Sequence, residues 1–324
     1  MIEIENKYLN NVKYIDLFCG IGGFHLALSS FGAECVFASD IDSKARAVYQ
    51  KNFGIEPAGD ITKIKNKEIP PHDILCAGFP CQPFSISGNQ EGFNDQDGKL
   101  FFQIIRIARF HKPKILLLEN VKNLKTHNNC KTMTVIRNQL NSIGYDVYDE
   151  ILSASDFGIP QARERLYIVA IKKNLKIKKF NFPIAIDKNI SLNDILYDES
   201  DKYDVLVKRP FSINKCPLHR KGLIQVAKIG RGRQGERIYS PQGYSTTLSS
   251  QSGGLGGKTG MYLINGIVRK LYPRECARLM GFPDNFIYAQ EISSVYKQFG
   301  NSVVVDVLQN IVKVIIDAVE VRNG

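Results

Sequence analysis

The chain has 324 residues, enough for one large domain or two of ordinary size, and its hydrophobic fraction of 44% allows a normal core. No apolar run reaches the ~20 residues of a membrane span, residues 1–5 lack the features of a signal peptide, and seven cysteines without a Cys-x-x-Cys pair argue against disulfides and a zinc site. The cysteine pattern therefore predicts a reduced, cytoplasmic protein. The net charge of +11 predicts that this protein binds a polyanion.

Residues 1–190 alternate short β-rich runs with helical stretches, which is typical of a mostly parallel sheet with crossover helices. The predicted strands are residues 12–18, 34–39, 74–77, 115–119 and 166–171. The predicted helices run from a Gly-rich turn to Phe31, over 43–53 with Ser43 as N-cap, and over 99–110 before Pro113.

Residues 201–280 differ from the rest in composition and charge. They hold 11 of the 26 glycines and 15 Lys and Arg against 4 Asp and Glu, while the remainder carries 28 of each and is neutral. We expect a smaller β-rich domain that faces a polyanion, the alternative being a solvated basic face. Residues 303–321 are apolar at helical spacing and are expected to pack back on the first domain.

A Gly-rich turn, Asp16-Leu17-Phe18-Cys19-Gly20-Ile21-Gly22-Gly23, follows the first predicted strand. Glycines let the backbone approach a ligand closely, but the turn lacks the Gly-x-Gly-x-x-Gly fingerprint of dinucleotide sites. Asp40 follows the second strand, where a carboxylate commonly accepts ribose hydroxyls. The pattern favours a nucleoside cofactor without a pyrophosphate, the alternative being ordinary turns.

A single cysteine stands in the loop Gly78-Phe79-Pro80-Cys81-Gln82-Pro83-Phe84-Ser85, directly after a predicted strand. Strand ends are where open α/β sheets place their chemistry, and a thiol there can be a nucleophile. Two prolines fix the backbone on either side of Cys81. The alternative is a small buried hydrophobic residue, the common role of cysteine.

Three more polar side chains stand at or just before strands of the same predicted sheet. Glu119 ends a strand and is suited to act as a general acid. Arg163 and Arg165 point to one side if their segment is extended. Arg165 is suited to bind a polar substrate edge, and Arg163 a phosphate or a loop carboxylate. The alternatives are a solvated strand-end carboxylate and surface arginines.

These motifs, with Gly300-Asn301-Ser302-Val303-Val304, occur in the order found in DNA (cytosine-5)-methyltransferases. The chain closely resembles the compact bacterial restriction–modification enzymes of the HhaI type, from Ile15 to the C-terminal helix. The resemblance implies a Rossmann-like S-adenosylmethionine-dependent methyltransferase fold with a smaller β-rich target-recognition domain. It gives a catalytic domain over 1–190, a recognition domain over 191–272, a hinge over 273–292 and a returning segment over 293–324.

The resemblance further implies methyl transfer from S-adenosylmethionine to C5 of a cytosine flipped out of double-stranded DNA, leaving S-adenosylhomocysteine, without a metal. Cys81 is expected to add to C6 of the ring. Glu119 is expected to stabilise N3 and Arg165 to hold O2, with Arg163 beside them in the catalytic set.

The residues that match the family's cofactor pocket include Phe18 as the ring stacked on adenine, Asp40 as ribose ligand and Asp60 as acceptor of the adenine amino group. Ile41 stands where many members have a bulkier residue. The full expected set is Phe18, Gly20, Gly22, Gly23, Asp40, Ile41, Asp60, Ile61, Gly78, Pro80, Leu100, Asn301, Ser302 and Val303.

The residues that match the family's DNA contacts lie in three loops. Residues 85–99 resemble a mobile loop that closes over DNA, and two segments resemble recognition loops: loop A, residues 231–237, and loop B, residues 246–257. Gln234 is expected to fill the gap left by the extruded cytosine and Arg237 to bond a guanine edge. The full expected set is Ser85, Ser87, Gln234, Arg237, Ser252, Gly253 and Gly254.

We expect a monomer that protects host DNA from a cognate restriction endonuclease, without a stable complex between them. Loop A and the residues after it suggest a target such as GCGC or GCNGC. The main alternative is a tRNA cytosine-5 methyltransferase, which the large Gly-rich recognition segment disfavours. A DNA-binding regulator with a decayed site is disfavoured by intact Cys81, Glu119, Arg163 and Arg165, and a nicotinamide oxidoreductase by the missing fingerprint.

Overall fold

The computed structural model describes residues 9–80, 99–175, 177, 180–186, 188–250 and 254–320. The strands are β1 Lys13–Leu17, β2 Glu34–Ser39, β3 Ile74–Gly78, β4 Ile115–Val121, β5 Tyr145–Ser153, β6 Gln161–Ala162, β7 Glu164–Lys172, β8 Ser212–Arg220, β9 Leu223–Lys228, β10 Arg237–Tyr239, β11 Ser245–Thr246, β12 Met261–Ile264 and β13 Ile267–Arg269. The helices are α1 Gly23–Ser29, α2 Ser43–Phe53, α3 Lys99–His111, α4 Lys131–Ser142, α5 Pro273–Arg278, α6 Ile292–Asn301 and α7 Val305–Glu320. Five predicted site residues lie outside the described residues: Cys81, Ser85, Ser87, Ser252 and Gly253.

The chain divides into two compact units. The smaller comprises Ser153–Arg163 and Ile184–Leu308, and the larger comprises Ile2–Leu152, Glu164–Pro183 and Gln309–Gly324. The smaller unit is thus inserted into the sequence of the larger one. The four segments expected from the family remain a prediction.

The larger unit is built on a six-stranded sheet with the order β2-β1-β3-β4-β7-β5. β1 pairs in parallel with β2 and β3, and β3 with β4, whereas β7 runs antiparallel to β4. The prediction of an α/β fold with a mostly parallel sheet is confirmed, with the antiparallel β7 as the difference.

Helices pack on both faces of this sheet. Successive side chains of β1 point to opposite faces, so the strand can contact helices on each side. Ile15 and Leu17 join the main core with side chains of α3 and α4. On the other face, the Tyr14 hydroxyl lies 3.0 Å from Ser29 Oγ of α1. Because β1 and β3 run in parallel, their carboxyl ends lie at the same edge of the sheet, where the Gly-rich turn and the cysteine loop begin.

The N-cap predicted for α2 is wrong by one residue. Asp42, not Ser43, caps the helix, and its Oδ1 accepts hydrogen bonds from the backbone N–H groups of Lys44 and Ala45 at 3.0 and 3.3 Å. A carboxylate at this position also interacts favourably with the positive end of the helix dipole. Asp42 therefore takes the place that the hydroxyl of Ser43 was expected to fill.

The smaller unit contains a five-stranded sheet with the order β13-β12-β10-β9-β8 and a two-stranded sheet of β11 and β6. Its small core packs Ala227, Ile229, Ile238, Met261 and Val268. This separate β-rich unit agrees with the predicted fold class. No helix in the described part of the chain is long and apolar enough to span a membrane.

Candidate active site

The turn after β1 has the left-handed backbone that its glycines favour. Phe18, Gly20 and Gly22 have φ values of 56°, 53° and 90°. No described atom lies within 4 Å of the place where a Cβ of Gly20 would stand. The turn therefore leaves room beside its backbone, as the approach of a ligand requires.

Gly22 is needed for packing as well as for conformation. A Cβ at this position would lie 2.1 Å from Cε2 of Phe53. The Phe53 ring is stacked on His25, with centroids 3.9 Å apart, and meets the edge of Tyr49. Burial lowers the pKa of His25 to about 4, so this ring is neutral at pH 7. The contacts with His25 and Tyr49 thus hold the Phe53 ring against Gly22 of the turn.

We expect Gly22→Ala to lower the free energy of unfolding by roughly 1–3 kcal/mol, since alanine would have to adopt a left-handed backbone and displace a clamped ring. Gly54→Ala is the matched control, because Gly54 has φ of 71° but open space where its Cβ would stand. Urea unfolding of both variants gives the comparison. Equal losses would mean that Phe53 does not constrain the turn.

Asp40 holds the glycine turn in place. Its Oδ2 accepts a hydrogen bond from the Gly20 N–H and its Oδ1 one from the Asp42 N–H, both at 2.8 Å. Burial raises the pKa of this carboxyl above its usual value. The structure thus brings Asp40 to the predicted cofactor turn, while the neighbouring Ile41 is 77% exposed.

Asp60 caps a short 3-10 turn over residues 61–63. Its Oδ1 accepts hydrogen bonds from the backbone N–H and the hydroxyl of Thr62, at 3.0 and 2.7 Å. These hydrogen bonds lower the pKa of Asp60. Ile61 is buried in the main core, so it fixes the turn from the inside. Leu100, near the start of α3, is half-buried.

The base of the cysteine loop is tied to the end of β4. Gly78 is in register with Glu119, and the Asn120 side-chain amide donates a hydrogen bond to the Phe79 carbonyl at 2.9 Å. Asn120 is buried and Pro80 is exposed, and Cys81 follows outside the described residues. Glu119 therefore lies beside the strand end that leads to Cys81.

Glu119 and Arg165 form a partly buried ion pair. Arg165 Nε lies 3.2 Å from Glu119 Oε1, with side chains 17% and 10% exposed. The pair arises from the antiparallel register of β4 and β7, in which Val121 stands opposite Arg165 and Glu119 opposite Tyr167. A carboxyl and a guanidinium thus stand together at the end of β4, and both can bind polar atoms of a ring.

Arg163 is buried and donates hydrogen bonds to backbone carbonyl oxygens. They belong to Leu248, Gly300 and Ser302, at 3.0, 3.1 and 2.6 Å. In the same place a Cβ at Gly300 would lie 2.4 Å from backbone atoms of residues 249 and 250. The arginine therefore fastens loop B to the Gly300–Val304 motif. A phosphate or a loop carboxylate as a further partner of Arg163 remains a prediction.

The final cofactor motif lies just beyond that contact. Asn301 ends α6 and is exposed, whereas Ser302 and Val303 are buried. These three residues belong to the smaller unit, and the glycine turn belongs to the larger unit.

Loops A and B are braced against each other. The Gly256 N–H donates to the Gly235 carbonyl at 3.0 Å, and the Glu236 carboxylate accepts the Arg233 N–H at 2.8 Å. Gln234 is exposed, while Arg237 is half-buried and donates from Nε to the Gly232 carbonyl at 3.3 Å. Gly254 in loop B is exposed, with φ of 80°. Loop A thus presents Gln234 from a fixed backbone.

The model of the family described as C-5 cytosine-specific DNA methylase matches residues 12–317. The chain belongs to this family. This DNA methylase is 48% identical over 314 residues to the type II methyltransferase M.HhaI from Haemophilus parahaemolyticus, covering 96% of both chains. It is 44% identical over 309 residues to M.HaeII from Haemophilus aegyptius, covering 94% of this chain and 92% of that relative.

The fold of the methylase is also found among solved structures. The S. pombe Dnmt2 methyltransferase superposes with a TM-score of 0.72 at 22% identity, covering 94% of this chain and 98% of that one. At this identity the match shows the fold alone. The family and its curated relatives confirm the prediction of a DNA (cytosine-5)-methyltransferase of the type II restriction–modification class, a family that uses S-adenosylmethionine.

The structure also adds residues that were not predicted for the site of this methylase. Asn120 binds the Phe79 carbonyl at the base of the cysteine loop, and its position directly after Glu119 at a strand end is the available signal. Gln161 donates to the Leu279 carbonyl and accepts from the Leu248 N–H, at 2.8 and 3.1 Å. Phe53 supports the glycine turn from a distance of some 30 residues along the chain, and no local pattern marks it.

Proposed function

We propose that this methyltransferase modifies C5 of a flipped cytosine in a short palindrome such as GCGC or GCNGC, with Cys81 as nucleophile. The observation that supports the proposal best is the Glu119–Arg165 pair, 3.2 Å apart beside the strand that leads to Cys81. Cytosine C5 is a weak nucleophile, so the ring has to be activated by addition at C6.

The proposed chemistry of the chain has three parts. The Cys81 thiolate adds to C6, which moves negative charge towards N3 and O2 of the ring. Glu119 holds a proton at N3, and Arg165 donates hydrogen bonds to O2. Once C5 carries the methyl group, water takes the proton at C5, the C5–C6 double bond forms again, and Cys81 leaves as a thiolate, which releases the methylated base.

S-adenosylmethionine supplies an electrophilic methyl group when bound. The residues proposed to hold it are the glycine turn, with Phe18 and Asp40 beside it. The open space next to Gly20 and the carboxylate of Asp40 at the same turn fit a ligand with a ribose. Asp60 is proposed to accept the adenine amino group, and Asn301, Ser302 and Val303 to complete the pocket.

Arg163 is proposed to position the backbone of the site. Its three hydrogen bonds to carbonyl oxygens support a role in holding loop B and the Gly300–Val304 motif. In this role it orders the backbone around the site and does not touch the reacting ring.

The sequence-reading residues are proposed to lie on loops A and B. Gln234, exposed on a braced backbone, would occupy the gap left by the cytosine, and Arg237 would bond a guanine edge. Ser85, Ser87, Ser252, Gly253 and Gly254 are proposed to contact the DNA around them. Monomeric action and protection against a cognate endonuclease complete the proposal.

Bisulfite sequencing of plasmid DNA from cells that express the protein tests substrate and target together. Protected cytosines at one position of one short sequence are the expected result. Plasmid DNA without protected cytosines would contradict the proposal, and bisulfite sequencing of tRNA from the same cells would then test the alternative substrate.

We expect Arg237→Ala to lose roughly 1–3 kcal/mol of discrimination at one base position, since a single guanine contact is removed. The measurement is methyl transfer to duplexes that differ at each position of the site. Arg231→Ala, an exposed arginine of the same loop, is the control and should weaken binding to all sequences alike. An unchanged preference in Arg237→Ala would place the reading residue elsewhere.

A further inference from the structure

Strand β8 forms an edge of the five-stranded sheet and is exposed along its length. No described strand pairs with its outer side, and eight of its nine residues, Asn214 being the exception, are exposed. Lys215 and Arg220 are among these exposed residues. An exposed edge of this kind is a surface that a partner can reach.

The sequence around this edge has charge of one sign only. Residues 205–235 contain eight Lys and Arg and no Asp or Glu. This stretch includes β8, β9 and most of loop A. The nearest carboxylates along the chain are those of Asp204, which lies 3.8 Å from Lys208 Nζ, and of Glu236 in loop A. A stretch with cations and no interspersed anions fits a polyanion, whereas an ordinary solvated face mixes both signs.

The register of the hairpin connects the edge to loop A. Ser212 stands opposite Lys228, three residues before Arg231, and Arg220 stands opposite Leu223 at the far end. The six residues of β9 therefore separate the two ends of the edge by roughly 17 Å at ~3.3 Å per residue. This distance corresponds to about five phosphates along one DNA strand.

Several features of β8 oppose the addition of another protein strand. Pro217 has no N–H to donate, and the pairing of β8 with β9 is irregular between Ile213 and Leu218. Prolines, irregular pairing and charged side chains are the means by which edge strands avoid pairing with other chains. The edge is therefore better suited to phosphate groups than to a strand of a second protein.

We propose that the β8 edge, through Lys215 and Arg220, binds the phosphates of duplex DNA outside the recognition sequence. The edge lengthens the DNA contact beyond loop A without reading bases, because phosphate contacts carry no sequence information. This inference rests on the proposed function of loop A as the reading loop.

The test compares the double variant Lys215→Gln, Arg220→Gln with wild type on two duplexes that carry the sequence found by bisulfite sequencing. One duplex extends about ten base pairs beyond the site on each side, and the other about two. Binding is measured by fluorescence anisotropy over a salt series. Two lost phosphate contacts should reduce the slope of log K against log salt by about 1.8 on the long duplex. The slope on the short duplex and methyl transfer to it should stay at the wild-type values.

The control is Lys51→Gln, Lys67→Gln, which removes the same charge from exposed lysines of the larger unit and should leave both slopes unchanged. An unchanged slope for the β8 variant, or equal reductions on both duplexes, would overturn the inference. So would a dimer, seen by sedimentation without DNA, that Ile213→Asp converts to a monomer, since a second copy would then cover the edge. If wild type methylates neither GCGC nor GCNGC duplexes, the proposed function fails, and the slopes on those duplexes still decide whether β8 binds DNA.

Discussion

Cys81→Ser is expected to abolish methyl transfer while the protein stays folded and binds its cofactor. A thiol has an ordinary pKa of about 8.5 and is the more acidic and more nucleophilic group, whereas a hydroxyl stays protonated at neutral pH. The substitution replaces only the attacking sulfur by an oxygen, and the side chain keeps nearly the same size. Transfer of a labelled methyl group to DNA measures the loss.

Cys216→Ser is the matched control, since Cys216 is an exposed thiol of β8. It should retain the wild-type rate, which separates the role of Cys81 from a general sensitivity to thiol loss. Circular dichroism and cofactor binding establish that the Cys81 variant is folded. A folded Cys81→Ser protein with full activity would refute nucleophilic addition by this residue.

Glu119→Gln is expected to reduce the turnover number by about 10²–10⁴-fold, the usual effect of losing a general acid. Glutamine keeps the shape of the side chain and can donate a hydrogen bond to N3, but its amide cannot transfer a proton as a carboxylic acid does. It also removes the charge that pairs with Arg165 at 3.2 Å. Single-turnover methyl transfer at saturating DNA and cofactor reports the chemical step.

Glu164→Gln provides the comparison for that result. Glu164 lies on the same strand as Arg165 and pairs with Lys122 at 2.6 Å, with both side chains substantially exposed. Its loss should change the stability by less than about 1 kcal/mol and leave turnover intact. Near-wild-type turnover in Glu119→Gln, or equal losses in both variants, would rule out the proposed role at N3.

The central strands and helices could be predicted closely from the sequence. Short apolar runs bounded by Gly, Pro and polar residues gave β2 without error, and β3, β4 and α3 to within two residues of their ends. The N-cap of α2 was misassigned because Asp42 and Ser43 are both good capping residues, and only the hydrogen bonds distinguish them. Helix α4 was absent from the prediction.

The site was predictable as a set of motifs but not as an arrangement. Glu119 and Arg165 were expected near each other because both are motif residues, yet their contact depends on the antiparallel register of β7, which the sequence does not reveal. The carbonyl partners of Arg163 come from residues 85 to 139 positions away. Long-range contacts of this kind have no local signal, and the position of Cys81 relative to them remains a prediction.

The insertion of the smaller unit within the larger one has a consequence for synthesis on the ribosome. The larger unit is completed by residues after 308, where Gln309 of α7 donates a hydrogen bond to Ser30 at 3.0 Å. Those residues leave the ribosome after the whole smaller unit. The six strands of the sheet are complete at Lys172, so residues 173–308 are made before the last part of the larger unit, and an incomplete unit of this kind is prone to aggregate. A delay in elongation between the codons for β7 and those for α7 should consequently increase aggregation more than the same delay before β2.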